Sequence, residues 1–304
     1  MQPAVAHEQL TIARPARPVA LARLRTLARR KPVGALAVMF VLLMVVAALL
    51  ADVLAVHTPV SIDPRMRLIG PGAIARDGGI YLLGGDELGR DLFARVLHGA
   101  RVSLAVGIVA VGIGTVTGAI LGLISGYFMG KVDLIIQRIE DAQQAIPSLL
   151  LAMLLVSVLP PSLWVVTAAV GITQVPRVNR VVRGAVLSIK QNAYMDAARA
   201  IGCRTPNILL SYLLPNVLPN IIIIATTSLG GAIITEASLS FLGFGVPPPT
   251  PSWGGMISAG GREYMFDNPM LLFVPAVALS ITVLSFNLAG DALRDILDPK
   301  LRGR

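Results

Sequence analysis

Few residues in this 304-residue chain have the types and spacings that covalent chemistry needs. Gly126 to Lys131 comes close to a phosphate-binding loop. That loop requires Gly-x4-Gly-Lys-Ser/Thr, so that backbone amides cradle phosphate and a hydroxyl reaches the metal. Here Ser125 stands where the first glycine belongs and Val132 where the hydroxyl belongs, and no other Gly-Lys pair exists. Asp86, Glu87 and Asp91 could be read as a cation site. Their spacing and the lack of further ligands do not suit calcium, and they read as a polar turn followed by a helix N-cap. His7, His57 and His98 are scattered, with no His-Glu-x-x-His pattern. The single cysteine, Cys203, excludes an internal disulfide and a multi-cysteine metal site. No catalytic residue and no metal site is expected. What remains is residues 194–215, YMDAARAIGCRTPNILLSYLLP, a polar interruption between apolar segments whose spacing suits mechanics. A helix-prone run from Met195 to Ile201 stops at Gly202, which can take the left-handed conformation and turn the chain. Thr205 is expected to cap a second helix with Pro206 at its first position, and Pro215 and Pro219 to bend it.

The elements around this segment follow from hydropathy. The chain is 55% hydrophobic and 14% charged, with a mean hydropathy of +0.74. A soluble domain carries nearer a quarter charged residues, so a membrane protein is expected. Charge-free runs cover residues 32–51, 102–130, 142–176, 205–235 and 268–290. A helix needs about 20 apolar residues to cross a bilayer. The 35-residue run 142–176 is read as two spans with Pro160-Pro161 at the apex, the first borrowing a turn from the charged residues before Ala142. The reading is therefore all-α, a polytopic membrane protein with six transmembrane helices. Residues 1–33 form a cytosolic arm, residues 34–290 the six-span domain and residues 291–304 a cytosolic tail. The outer loop lies at about 57–101 and the inner loop at about 177–206. The first apolar run is too long for the h-region of a signal peptide and is read as a retained span.

Charge tests that count. Of 26 Lys and Arg residues, 19 fall on the segments assigned to the inside and 7 on the outer loops. This matches the positive-inside rule with both ends inside, and five spans would place a basic segment outside. The net charge of +9 is thereby explained by topology, and nucleic acid is not an expected partner. Membrane lipid is.

Gly114, Gly118, Gly122 and Gly126 recur every four residues on the second span and share one helix face. Small residues let a second helix approach closely in lipid, as a packing seam or a surface that slides during gating. Arg177, Arg180 and Arg183 lie on one side of a helix leaving the membrane, either anchoring it by snorkelling or facing an acidic groove on a partner. After Glu236, expected to begin the second outer loop, residues 239–255 form a Pro-rich segment whose apolar half and Trp253 suit the membrane interface.

The spacing Asp196-Ala197-Ala198, Gly202 and Leu214-Pro215 resembles the signature of ABC importer permeases, with Asp196 where Glu is usual and Tyr212 where Ile is usual. The stretch 83–91, with Gly85 where Thr is usual, the segment 239–255 and the ending 287–302 are similar to the dipeptide, oligopeptide and nickel branch, on its C-type side. The resemblance spans roughly residues 34–302 and implies the type I ABC importer permease fold. It implies that Asp196, Ala197, Ala198, Arg199, Gly202, Leu214 and Pro215 belong to a helix that docks in a groove of a cytosolic ATPase. It also implies a second homologous permease, two ATPase subunits that bind ATP and Mg, and an extracytoplasmic substrate-binding protein. The location would be the bacterial or archaeal cytoplasmic membrane, and the cargo peptide, with nickel or glutathione as alternatives. This chain would hold no cofactor of its own. An ion-coupled secondary transporter is the competing class, but no internal repeat is evident and the charge-free runs put no ionisable residue deep within a span.

Overall fold

A computed structural model describes residues 32–297. The arm before Pro32, including Arg29-Arg30-Lys31, and the end of the tail lie outside the described residues. Helix α1 (Pro32–Leu49) and the short α2 (Ala51–Leu54) lead into a segment with a two-stranded antiparallel hairpin, β1 (Ala73–Ile74) and β2 (Ile80–Tyr81). Then come α3 (Leu92–Phe128), α4 (Gly130–Gln144), α5 (Ser148–Val158), α6 (Leu163–Ile189) and α7 (Ala193–Ala200). Helix α8 (Thr205–Phe241) contains a π-helical stretch at Ile208–Leu213. The short α9 (Trp253–Met256) and α10 (Met270–Leu297) complete the chain.

Helix α3 has 37 residues. At 1.5 Å per residue it is about 55 Å long, well beyond the ~30 Å of hydrocarbon in a bilayer. Its most extensive contact is with α6; α8 lies against α10, α3 and α6, and α1 lies against α10 and α3. The described core falls into three apolar clusters, of which one joins α3, α6, α7 and the start of α8.

Among the described residues, four helices are long and apolar enough to cross a membrane: α1, α3, α8 and α10. A fifth passage arises if α4 and α5 count as one broken span. The sequence reading needs correction here. Between α4 and α5 the chain bends by 89°, so the first of the two expected spans borrows no straight turn from the charged segment. Pro147 is the physical cause: it offers no N–H and pushes Ile146 out of the helical region. Residues 159–162 make the turn between α5 and α6 expected at Pro160-Pro161.

Two further boundaries shift. Residues 92–101 are the first turns of α3 and not loop, because Asp91 caps the helix by accepting from the Phe93 and Ala94 amides. Glu236 does not begin a loop. It lies inside α8, fully buried, where its carboxyl accepts from Ser103 at 3.2 Å and Ser240 at 2.7 Å. Apolar neighbours on either side keep the helix going to Phe241, and two serine hydroxyls offset part of the cost of burying the group.

Candidate functional site

Residues 193–202 form an eight-residue helix and a defined stop. The Gly202 amide donates to the Arg199 carbonyl at 3.0 Å and the Cys203 amide to the Ala198 carbonyl at 3.0 Å. This is the Schellman arrangement with Gly202 as its left-handed residue, at φ +77°. A side chain there would meet no neighbour, so glycine is required by the backbone and not by space.

The helix turns by about 100° per residue, and this separates the two central alanines. Ala198 and Met195 are both buried, and Met195 packs into the cluster formed with α3, α6 and α8. Ala197 is exposed with Tyr194, Asp196, Arg199 and Ile201. Asp196 and Arg199 pair on that open face at 3.2 Å. The two alanines therefore do not make one small docking surface: Ala198 lets the helix sit close on its own chain, and Ala197 faces out. Ile201 is 76% exposed, an aliphatic side chain at the tip that sequence patterning did not single out.

The second helix starts differently from expectation. Its N-cap is Arg204, with no side-chain cap bond; Thr205 is the first helical residue and Pro206 follows it. Pro215 and Pro219 lack amides to donate backward. Above them the helix widens into the π-helical stretch, and the Asn216 side chain donates to the Tyr212 carbonyl at 2.6 Å. Leu214 is half-buried and Pro215 exposed. The structure thus brings residues 195–202 together in one unit and places Leu214 and Pro215 along the helix that leaves it.

Charged residues that looked like anchors turn out to be internal ties. Arg183 holds Asp133 of α4 through two bonds of 2.7 and 2.6 Å, and Ser125 of α3 donates to the same carboxylate. Arg180 pairs with Asp141 at 2.9 Å, while Arg177 is exposed. Pro176 cannot donate to the Ile172 carbonyl, and the Gln143 side chain donates to it instead at 2.8 Å. Lys190, at the end of α6, donates to the Tyr127 carbonyl at 2.7 Å and the Gly126 carbonyl at 3.4 Å. Burial first, and then the positive Arg199, hold the Lys190 ammonium below its ordinary pKa. A basic residue one turn before a polar helix was the only sequence signal for it.

The four glycines of α3 all face α6. A β-carbon at Gly114 would lie 2.6 Å from the Gln174 β-carbon; at Gly118, 2.7 Å from the Val175 carbonyl oxygen. At Gly122 it would lie 2.8 Å from the Asn179 carbonyl oxygen, and at Gly126, 2.8 Å from the Val186 β-carbon. At the start of α3, Asp86 is buried between Arg90 at 2.6 Å and Arg95 at 3.2 Å, and Glu87 also pairs with Arg90. The Trp253 indole donates to the Val96 carbonyl at 3.0 Å and fixes the segment after α8 against α3.

Residues 118–303 match the family model described as binding-protein-dependent transport system inner membrane component. The chain is 37% identical over 283 residues to the "Probable D,D-dipeptide transport system permease protein" of Escherichia coli (strain K12), covering 93% of each chain. It is 39% identical over 258 residues to the dipeptide transport system permease protein of Alkalihalophilus pseudofirmus, covering 85% of this chain and 83% of that one. It is 42% identical over 275 residues to the glutathione transport system permease protein of Escherichia coli O6:K15:H31, covering 90% and 89%. Among solved structures, an inward-facing form of the MetNI methionine ABC transporter aligns with a TM-score of 0.56 at 22% identity, over 67% of this chain and 96% of that one. That likeness bears on the fold alone.

Proposed function

The chain belongs to the family of binding-protein-dependent transport system inner membrane components, and from that premise we infer that α7 is the helix through which a cytosolic ATPase moves this permease. The chain is a transport permease and not an enzyme. The observation that carries the inference is the division of α7. Met195 and Ala198 are buried, while Tyr194, Asp196, Ala197 and Ile201 are exposed, Asp196 in its pair with Arg199. A short rigid knob fixed to several helices at once is what a lever needs. Gly202 stops it, and α8 carries its movement onward.

The proposed assembly has a second homologous permease, two ATPase subunits that hold ATP and Mg, and an extracytoplasmic substrate-binding protein. Alternating access follows when ATP closes the ATPases and the permease pair opens toward the binding protein. Six passages are proposed, with α5 and α6 as a short hairpin and both chain ends cytosolic in a bacterial inner membrane. The charge distribution supports this, since an even count keeps the basic segments inside. Peptides are the proposed cargo, in line with the names of the dipeptide relatives. The glutathione relatives, at 42% identity, favour a second reading, glutathione, itself a short peptide.

The test is co-purification from native membranes. Tagged wild-type chain should bring down an ATPase subunit, and Ile201→Asp should weaken that capture roughly tenfold, as expected for losing about 1–2 kcal/mol of apolar burial. A membrane-impermeant maleimide should label the single cysteine, Cys203, in inverted but not right-side-out vesicles. An uptake panel of L-Ala-L-Ala, D-Ala-D-Ala and glutathione separates the cargo readings. Ion-driven transport by the purified chain alone would sink the proposal.

A further inference from the structure

The last turn of α3 ends in carbonyls with no amide beyond them to accept from. Met129 at φ +55° turns the chain sharply, and α4 begins at the next residue. The last turn of α6 arrives at the same place, with Val186 against Gly126. Two helix C-termini therefore converge, and each carries partial negative charge. Lys190 stands between them. Its own amide donates to the Val186 carbonyl at 2.9 Å, and its ammonium takes the Tyr127 and Gly126 carbonyls of α3 while lying 5.6 Å from the centre of the Tyr127 ring. Three residues later α7 begins.

We propose that Lys190 is a positioning residue for coupling: its ammonium ties the base of α7 to the C-terminus of α3, so that displacement of α7 moves α3 and α6 as one body. Surface anchoring would leave the ammonium in water or among lipid headgroups, whereas here two main-chain carbonyls of another helix take it. The Arg183–Asp133–Ser125 link lies about two turns further into α6 and joins it to α3 through Asp133 of α4, so of these two polar ties Lys190 is the nearer to the lever. Met195 packs α7 onto the core by non-directional apolar contact; the lysine bond gives the contact a fixed point.

This proposal rests on the reading of α7 as the ATPase-driven lever. The assembled importer is reconstituted in proteoliposomes, and the transport of whichever of L-Ala-L-Ala, D-Ala-D-Ala or glutathione the wild type carries is measured per ATP hydrolysed. Lys190→Met should lower that ratio roughly fivefold, within the range of single-residue effects on coupling. Subunit composition and melting temperature should stay at wild-type values, and Lys190→Arg should restore the ratio to within about twofold. Lys190→Gln, which keeps a donor without the charge, should fall with Lys190→Met and serves in its place if that variant fails to assemble. A neutral variant that transports as many molecules per ATP as wild type overturns the proposal. So does an arginine variant as uncoupled as the neutral ones. A wild-type complex without any ATPase subunit would instead overturn the lever reading beneath it.

Discussion

At the scale of single residues, α7 separates support from contact. Ala197 and Ala198 are adjacent in sequence and face opposite surroundings. Ala198→Leu should lower the melting temperature of the purified chain, since added methylenes in a tight core cost about 1–3 kcal/mol. Ala197→Leu should leave that temperature unchanged and alter only capture of the ATPase. Equal thermal effects from both would contradict the division of faces. The sequence located this helix through Gly202 and the alanine spacing, because a backbone stop has a residue signature. It did not assign the alanines to faces, because alanine is small enough for either a buried or an exposed position, and only the three-residue step from Met195 to Ala198 marks the buried side. The partners of Arg180 and Arg183 were likewise illegible: Asp141 and Asp133 are 39 and 50 residues distant, brought in by the corner at Met129.

At the scale of elements, the glycine face of α3 is a close contact with α6, not an open surface. Gly122→Ala would place its β-carbon 2.8 Å from both the Asn179 carbonyl oxygen and the Val182 β-carbon, and backbone cannot retreat as a side chain can. The expected cost is about 1–3 kcal/mol, read as a drop in thermal stability. Gly112, on the same helix, has no neighbour within 4 Å of its would-be β-carbon. Gly112→Ala should be neutral or stabilising by up to ~1 kcal/mol, from helix propensity alone. If both variants melt alike, the seam does not hold the helices. The four-residue spacing was visible from sequence because a helix face repeats at that interval. The partner helix was not, since nothing in α3 distinguishes α6 from α8. The limits of α8 were misjudged for a related reason: Glu236 signals a membrane boundary by its charge, yet Ser103 and Ser240 make a buried carboxyl tolerable within the helix.

At the scale of the whole molecule, hydropathy located the long helices readily and failed where the chain bends. Helices α1, α3, α8 and α10 are legible as runs of apolar residues. The middle of the chain is not, because α5 is short and the second half of α6 carries Arg177, Arg180 and Arg183. This has a consequence for how the protein is made. With 11 residues, α5 reaches about 16 Å, roughly half the hydrocarbon layer, and is too short to be handed to lipid by itself. The prediction is that α5 enters the bilayer as a hairpin with α6, received by the glycine face of an α3 already in place. Chains released after residue 162 should leave α5 open to protease in membrane vesicles, and chains released after residue 192 should protect it. Protection in the shorter chain would show that α5 enters unaided. On this account the glycines of α3 serve twice, first in receiving the hairpin at synthesis and then in keeping α6 close in the finished protein.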